Sequence, residues 1–172
     1  YPGAADRMVL IENGYDEDSF GSPPPMPSDT TPDVEASHRP MVILHSGIVY
    51  PSERDPSQLF RALGRLKATG TLCADNLRIR FRAPVHGELI QRLAADYGAQ
   101  EFVEICPPLP YREALAEMLA VDALLVMQAS NCNSQIPAKV YEYFRAGKPV
   151  LGLTDAGGDT AEVLRQAGLN DL

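Results

Sequence analysis

Short, fully apolar runs alternate with amphipathic stretches along most of the chain. Met41–Leu44 and Ala123–Val126 are continuously apolar, a pattern typical of parallel strands that are covered on both faces. Leu77–Arg82 alternates strictly between apolar residues and arginine, which predicts a strand with one apolar face and one face lined by arginines. Two further runs complete the predicted core strands: Phe102–Ile105 and Val150–Leu153.

Amphipathic helices are predicted between these strands. The first opens at Asp55, a good N-cap residue, followed by Pro56 at the first helical position and by Gln58 where a capping box has its second member. Apolar residues at helical spacing mark the later helices, at Leu89–Tyr97, Tyr111–Ala120, Pro137–Ala146 and Asp159–Gln166. This alternation predicts an α/β fold, a Rossmann-like, doubly wound parallel sheet with right-handed crossovers.

Residues 1–40 differ from the rest of the chain. Met8–Ile11 predicts a short strand, and Asn13–Gly14 predicts a turn because both residues tolerate positive φ. Six prolines lie between Gly21 and Pro40 with little to bury, so this stretch is predicted to be a loop or linker. We therefore divide the chain into an interdomain segment with a proline-rich linker, 1–40, and a ligand-binding domain, 41–172.

Composition narrows the class of protein. The chain has 172 residues, enough for one domain with a substantial core, and 45% of them are apolar, as is ordinary for globular proteins. No apolar stretch approaches the roughly 20 residues that a membrane helix needs, and no signal-peptide pattern opens the chain. The net charge is −8 without a clustered basic face, so nucleic acid is not an expected partner.

The cysteines point to a reducing compartment. Cys73, Cys106 and Cys132 are widely separated and form neither a zinc-binding pattern nor a disulfide framework. We expect reduced thiols in a cytoplasmic protein, and no metal site. Because the chain does not begin with Met, we expect a piece of a longer protein, in which peripheral membrane contact would belong to the missing part.

Ligands on parallel sheets bind beside the carboxyl ends of the strands, near the point where strand order reverses. The predicted elements place four loops there: 45–55, 106–111, 127–137 and 154–159. In the first loop, Gly47 lets a ligand approach the backbone, and Arg54 can hold phosphate oxygens in a bidentate fork. Taken alone, these two residues equally describe a tight turn and a solvated arginine.

The third loop leads into a helix that carries more chemistry. Lys139 and Glu142 lie three residues apart in its first turns and therefore share one face. A lysine there adds to the helix dipole in attracting an anion, while an ionised carboxylate offers two acceptor oxygens to ribose hydroxyls. The alternative interpretation is an exposed ion pair between the two side chains.

The fourth loop contains a glycine pair before the last predicted helix. Asp159 or Thr160 can cap that helix. Equally, free amides at Gly157, Gly158 and Asp159 can hold a phosphate or sugar oxygen, with Thr160 beside them. The pattern leaves both interpretations open.

Four stretches carry a resemblance to a known family. They are Ile11–Phe20, similar to a "pNGvD…F" segment; Leu44–Tyr50 with Arg54-Asp-Pro, similar to a first strand and phosphate loop; Val121–Val126, similar to "aDaLLv"; and Ile136–Leu151, close to "PaKlyEYlaaGkPvl". In this order they resemble the C-terminal, donor-binding half of retaining glycosyltransferases of the GT-B architecture, especially the mannosyltransferase- and glucosyltransferase-like group.

The resemblance assigns roles to individual residues. Glu142 matches the second glutamate of the family's paired-glutamate motif, which holds the donor ribose. The first glutamate falls at Ser134, where this chain departs from the pattern, so the sugar is not defined. Arg54 and Lys139 are placed for the pyrophosphate, and Leu109 lies where related proteins stack or hydrogen-bond the base.

The resemblance also implies a reaction. Such enzymes transfer a hexose from a UDP- or GDP-sugar to a saccharide or lipid-linked acceptor, as in polysaccharide biosynthesis. They usually need no metal, because basic side chains and helix ends stabilise the leaving diphosphate. The acceptor binds in a separate N-terminal domain, which is not visible in this sequence. We therefore expect a domain with no catalytic residue of its own and no cofactor beyond the donor, which binds the nucleotide sugar without turnover.

Two other classes remain open at this point. A non-catalytic regulatory or interaction domain of receiver-like type would carry acidic residues after its early strands, whereas the first core strand here ends in His45-Ser46-Gly47. A nucleotide-sugar epimerase typically shows a histidine-rich donor site, whereas this chain contains 3 histidines, His38, His45 and His86.

Overall fold

The structure is a computed structural model that describes residue 9, residues 13–21 and residues 39–168. Apart from Val9, the strand predicted at Met8–Ile11 lies outside the described residues, as does most of the predicted linker. The strands are β1 (Met41–Ser46), β2 (Leu77–Arg82), β3 (Val103–Cys106), β4 (Ala123–Gln128) and β5 (Val150–Thr154). The helices are α1 (Glu17–Phe20), α2 (Ser57–Ala68), α3 (Gly87–Asp96), α4 (Tyr111–Ala120), α5 (Lys139–Ala146) and α6 (Asp159–Gln166), with 3-10 turns at Gln100–Phe102 and Ser130–Cys132.

All five strands form one parallel sheet in the order β3-β2-β1-β4-β5. The chain moves outward from β1 to β3, and it then crosses back to place β4 on the other side of β1. Strand order therefore reverses between β1 and β4, and a crevice at such a point is where α/β sheets bind ligands. The α/β, Rossmann-like, doubly wound fold predicted from the sequence is confirmed.

The order of the strands also bears on the receiver-like alternative. Receiver domains of the flavodoxin-like type have the order 2-1-3-4-5. This sheet has β2 and β4, not β2 and β3, as the neighbours of β1. The observed topology is that of dinucleotide-binding folds.

Helices cover both faces of the sheet and bury two apolar clusters. One cluster packs α2 and α3 against the sheet and includes the fully buried Phe60, Phe81, Ile90, Phe102 and Leu125. The other packs α1, α4, α5 and α6 on the opposite face and includes Phe20, Leu115, Leu124, Tyr143 and Leu164. Along β4 successive residues alternate between the clusters, which explains why that strand is continuously apolar.

Several predicted boundaries shift by one or two residues. The first core helix begins at Ser57 with Pro56 as its N-cap; Asp55 instead accepts hydrogen bonds from the amide and hydroxyl of Ser57, at 2.9 and 2.6 Å, so the predicted capping box is wrong. Phe102 belongs to a 3-10 turn ahead of β3. The helix predicted from Pro137 begins at Lys139, because a proline-led turn precedes it.

The short helix α1, which the pattern did not predict, packs against α5. Asp16 caps it by accepting from the amide of Asp18 at 3.2 Å. Glu17 pairs with Arg145 at 2.5 Å, and the Arg145 guanidinium lies 5.1 Å from the centre of the buried Phe20 ring. Residues 13–21 are thereby held beside the helix that carries Lys139 and Glu142.

Candidate functional site

Lys139, the first residue of α5, points at the turn that follows β1. Its Nζ lies 2.5 Å from the carbonyl oxygen of Ser46 and 3.2 Å from His45 Nε2. Lys139 and Glu142 form no ion pair in the described part of the chain. The alternative interpretation of these two residues as an exposed ion pair is therefore wrong, and the lysine instead contacts the end of β1.

Gly47 makes the close approach of Lys139 possible. Its φ is +103°, a conformation that favours glycine, and its amide donates to the carbonyl of Arg82 at 2.9 Å. A Cβ at this position would lie 3.2 Å from Lys139 Nζ. The small residue predicted to admit a ligand thus also admits the lysine ammonium.

Two buried side chains that sequence reasoning did not single out hold this turn in place. His45 is fully buried, and its Nδ1 lies 3.0 Å from the carbonyl oxygen of Leu125 in β4. Tyr143, also fully buried, accepts from the amide of Ser46 at 3.2 Å and donates to the Leu125 carbonyl at 3.5 Å. A polar residue at an apolar position of a buried strand was the available signal for His45.

Arg54 brings a second positive charge close to Lys139. Its guanidinium lies 5.1 Å from the centre of the Tyr50 ring, and its buried Nε has no hydrogen-bond partner among the described protein atoms. Two hydrogen bonds join the loop of Arg54 to the β4–α5 loop. The Ala129 amide donates to the backbone carbonyl of Glu53 at 2.7 Å, and Asn131 Nδ2 donates to the carbonyl of Ser52 at 3.1 Å. Neither Arg54 nor Lys139 has a carboxylate partner within the described ranges.

Burial and charge make the Lys139 ammonium unusual. Burial, followed by the positive charge of Arg54, lowers the pKa of Lys139 to about 7, while the charge of Glu142 acts in the opposite direction. Burial, and then the charge of Lys139, hold the pKa of His45 well below its ordinary value, against the backbone carbonyls that favour its protonated form. A bound anion would relieve the crowding of positive charge at this site.

Glu142 is the next polar group along α5. Its Oε1 accepts a hydrogen bond from the hydroxyl of Tyr111 at 2.7 Å, and this bond is the main reason that the pKa of Tyr111 rises to about 12. Tyr111, half-exposed at the start of α4, directly follows the loop that contains the half-buried Leu109. Glu142 therefore lies between the cationic pair and the loop at the end of β3.

The loop before α6 plays a different part from the one predicted. The amides expected to be free are all bonded: Gly157 to Asp155 Oδ1 at 2.9 Å, Gly158 to the carbonyl of Asp155 at 3.0 Å, and Asp159 to the carbonyl of Asn133 at 2.8 Å. Thr160 is buried and donates to the carbonyl of Gln135 at 2.9 Å, so neither Asp159 nor Thr160 caps the helix with its side chain.

The same contacts support the loop that carries Ser134. A Cβ at Gly158 would lie 2.9 Å from Asn133 Oδ1, so the backbone of the α6 loop needs a glycine to pack this closely. Ser134 itself is exposed between the two braced positions. The structure thus brings Gly47 and Arg54 near Lys139, and it places Ser134 on a loop supported by the segment before α6.

The geometry is that of an anion site. Lys139 and Arg54 supply two positive charges without carboxylate partners within the described ranges, and Lys139 stands at the N-terminal, positive end of the α5 dipole. The described residues contain no cluster of His, Cys, Asp or Glu able to hold a metal ion. In the same ranges, none of the helices has the length and apolarity required to cross a bilayer.

Known structures share this fold, although no protein-family model and no curated protein sequence matches the chain. The Thermobaculum terrenum O-GlcNAc transferase, solved as a mutant, is 26% identical with a TM-score of 0.54 over 77% of this chain and 25% of its own. The chain has the fold of a glycosyltransferase domain.

Two more distant structures agree on the fold. The α,α-trehalose 6-phosphate synthase of Burkholderia multivorans is 12% identical with a TM-score of 0.53, over 73% of this chain and 30% of its own. A glycosyltransferase of Rickettsia africae ESF-5 is 13% identical with a TM-score of 0.50, over 95% of this chain and 47% of its own. This glycosyltransferase-fold domain therefore spans between 25% and 47% of the length of the three structures.

Proposed function

We propose that this chain is the donor-binding domain of a glycosyltransferase, and that it holds the diphosphate of a nucleotide sugar between Arg54 and Lys139. The observation that carries the proposal is the convergence of these two cations, without carboxylate partners in the described ranges, at the point where strand order reverses. Anionic ligands bind at such points against helix N-termini. The chain as a whole has a net charge of −8, so two neighbouring cations without carboxylate partners in the described part of the chain stand out from its composition and support an anion site.

The remainder of the nucleotide extends along α5 toward the end of β3. Glu142 accepts the ribose hydroxyls with the carboxylate oxygens that it presents beside Tyr111. The base lies toward Leu109 and its neighbouring prolines, and the sugar lies toward Ser134 on the braced loop. UDP- and GDP-sugars of a hexose fit this order of subsites.

The two cations also give the domain a role in the reaction. When a glycosidic bond to the diphosphate breaks, negative charge develops on the phosphate oxygens, and preorganised cations in a partly dry site stabilise it. Arg54 and Lys139 supply this charge from the protein, which supports transfer that needs no metal ion. The acceptor, a saccharide or a lipid-linked sugar, binds to a second domain beyond this chain, so the chain alone binds the donor without turning it over.

Calorimetric titration of the folded chain with UDP, GDP and ADP tests the proposal. We expect saturable binding of UDP or GDP that weakens with salt, because the contacts are largely ionic. A folded sample that binds none of the three nucleotides would refute the proposed function. In a separate incubation with a UDP- or GDP-sugar, a sample that hydrolyses the donor or transfers its sugar unaided would refute the statement that the chain only binds.

A further inference from the structure

His45 is a fully buried polar residue to which the proposed function assigns no role. It lies in β1 among apolar neighbours, with the Phe81 ring centre 6.0 Å away. Burying a polar side chain is unfavourable unless its hydrogen bonds are made, so both ring nitrogens require partners. Both have one: Nδ1 faces the carbonyl of Leu125 at 3.0 Å, and Nε2 faces Lys139 Nζ at 3.2 Å; the backbone of Ile48 also lies near the ring.

These partners define the state of the ring. The Leu125 carbonyl can only accept, so Nδ1 carries the proton. The ring is neutral near pH 7, since burial and the adjacent Lys139 hold its pKa well below the ordinary value. A neutral ring that is protonated at Nδ1 presents a lone pair at Nε2, and that lone pair accepts a hydrogen bond from the Lys139 ammonium.

The hydrogen bonds that Lys139 makes within the protein determine which of its N–H donors is free to bind a ligand. An ammonium has three N–H donors. One donates to the carbonyl of Ser46 at 2.5 Å, and a second donates to His45 Nε2 at 3.2 Å. The third N–H remains for an oxygen in the crevice next to Arg54.

We propose that His45 is a positioning residue for Lys139, and that its Nε2 lone pair fixes the ammonium so that one N–H faces the diphosphate. This inference rests on the proposed function for the identity of the ligand, while the contact itself exists without any ligand. The Leu125 carbonyl contributes as well, because it accepts from Nδ1 and so fixes the tautomer whose Nε2 lone pair is available to Lys139.

Among the described residues, four charged or titratable groups surround Lys139 and bear on its pKa. Arg54 approaches from the loop after β1, Glu142 and the neutral Tyr143 come from α5, and His45 comes from β1. Arg54 disfavours the ammonium and Glu142 favours it. The acceptor at His45 Nε2 stabilises the ammonium through a hydrogen bond to its charged form. Its loss would therefore make Lys139 give up its proton at lower pH.

Side-chain NMR of the unliganded chain tests the inference directly. The titration midpoint of Lys139, followed through its Cε and Nζ signals, should lie at about 7 in the wild type. His45→Phe keeps an aromatic ring but removes both nitrogens, and we expect the midpoint to fall by about one pH unit. His45→Gln carries an amide oxygen that reaches the Nε2 position, so it should restore the wild-type midpoint. His86→Phe, at an exposed histidine, is the matched control and should leave the midpoint unchanged.

A second readout requires no variant. Long-range nitrogen–proton NMR spectra of the wild-type His45 ring should show a proton on Nδ1 and none on Nε2 between pH 6 and 8. An Nε2-protonated or doubly protonated ring would overturn the inference, even if the variants failed to fold. So would an unchanged Lys139 midpoint in folded His45→Phe.

The same variants are then titrated with UDP, which separates this inference from the proposed function. At pH 8 we expect His45→Phe to bind UDP roughly ten-fold more weakly than the wild type, with recovery near pH 6, and His45→Gln to match the wild type. A uniform loss of affinity at every pH would indicate a merely structural role and would overturn the inference. Absence of UDP, GDP and ADP binding by the wild type, together with the expected NMR shifts, would refute the proposed function but leave the positioning contact established.

Discussion

The ammonium of Lys139 lies 2.5 Å from the carbonyl oxygen of Ser46, which joins the start of α5 to the turn after β1. The two residues are far apart in sequence, and they meet because β1 and β4 are neighbours in the sheet. The contact holds the positive charge at the end of β1 rather than in an ion pair with Glu142, the carboxylate that shares its helix face. A lysine that only stabilised the helix would pair along α5 instead.

Replacing Lys139 with methionine should separate binding from stability. We expect Lys139→Met to lower the affinity for UDP at pH 6.5 by at least about ten-fold, because a charge-assisted hydrogen bond is lost. The variant should be no less stable than the wild type at that pH. Calorimetry and urea denaturation measure the two quantities. Lys148→Met, just beyond the C-terminal end of α5, serves as the control and should bind UDP normally.

The pH dependence of the unfolding free energy is a second test of Lys139, and the direction of the change follows from its lowered pKa. The pKa of Lys139 is lowered from 10.5 to about 7 in the folded chain, so its ammonium opposes folding below pH 7. As pH rises from 7 toward 10.5, the folded state loses this proton first, and the unfolding free energy gains a rising contribution. Urea denaturation at pH 6.5 and pH 9 should show this rise in the wild type relative to Lys139→Met. Parallel behaviour of the two proteins would contradict it.

Glu142 is predicted to act on the ribose only. Glu142→Ala should weaken UDP binding by about ten-fold, since hydrogen bonds to a carboxylate are lost. Its affinity for inorganic pyrophosphate, measured at pH 6 so that Lys139 stays protonated without the charge of Glu142, should not fall, because pyrophosphate has no ribose. Competition titrations with both ligands measure this difference, and Glu113→Ala on the exposed side of α4 is the control. An equal loss for both ligands, or no loss for UDP, would remove Glu142 from the ribose subsite.

The turn at Gly47 should show a linked loss of stability and affinity. Gly47→Ala forces a side chain into φ +103° and brings Cβ to 3.2 Å from Lys139 Nζ. We expect a loss of about 1–2 kcal/mol in unfolding free energy, together with weaker UDP binding, as the ammonium is displaced. Gly70→Ala is a matched control, because Gly70 has φ +71° with nothing near its Cβ position. It should lose stability but keep full affinity.

An ion cluster between β2 and α4 should govern acid stability. Glu117 accepts from Arg82 at 2.7 and 2.8 Å and from Arg80 at 3.1 Å, and Arg82 also donates to the carbonyl of Pro107 at 2.7 Å. Burial acts to raise the pKa of Glu117, but its hydrogen bonds and charge contacts with Arg82 and Arg80 lower it overall.

The sign of this effect follows from the lowered pKa. The contribution of Glu117 is fully present above its unfolded pKa, near 4.5, and is lost as pH falls through the lower folded value. Glu117→Gln should therefore be about 2 kcal/mol less stable than the wild type at pH 7, and the difference should shrink below pH 4. Urea denaturation at both pH values checks this. Glu104→Gln should lower the unfolding free energy by less, because its partner Arg80 still pairs with Glu117.

The sequence was sufficient to predict the order of elements and the fold because hydrophobic periodicity is a local property. β2 and α4 match their predicted bounds, and β2 alternates between buried apolar residues and half-buried arginines as expected. Cap positions were less predictable: Asp55, Pro56 and Ser57 form a favourable cap in either of two registers, and tertiary packing selects one of them.

The contacts of the site were less accessible from sequence. The spacing of Lys139 and Glu142 fits an ion pair as well as a binding site, and only the adjacency of β1 and β4 decides between them. His45 gave a weak signal as a polar residue in a buried strand, whereas the tautomer and its lysine partner depend on three-dimensional positions. Before α6, the Asp159 amide and the Thr160 hydroxyl bond to the carbonyls of Asn133 and Gln135, which lie on a different loop.

Locating a bound nucleoside diphosphate tests the central claim most directly. Crystals of the chain soaked with UDP, or NMR shift mapping of the same titration, would show where the diphosphate lies. We predict phosphate oxygens within hydrogen-bond distance of Lys139 Nζ and the Arg54 guanidinium, above the Gly47 turn. A diphosphate found instead in the cavity of about 680 Å³ between α3 and the end of β3, lined by His86 and Arg92, would contradict the proposed donor site.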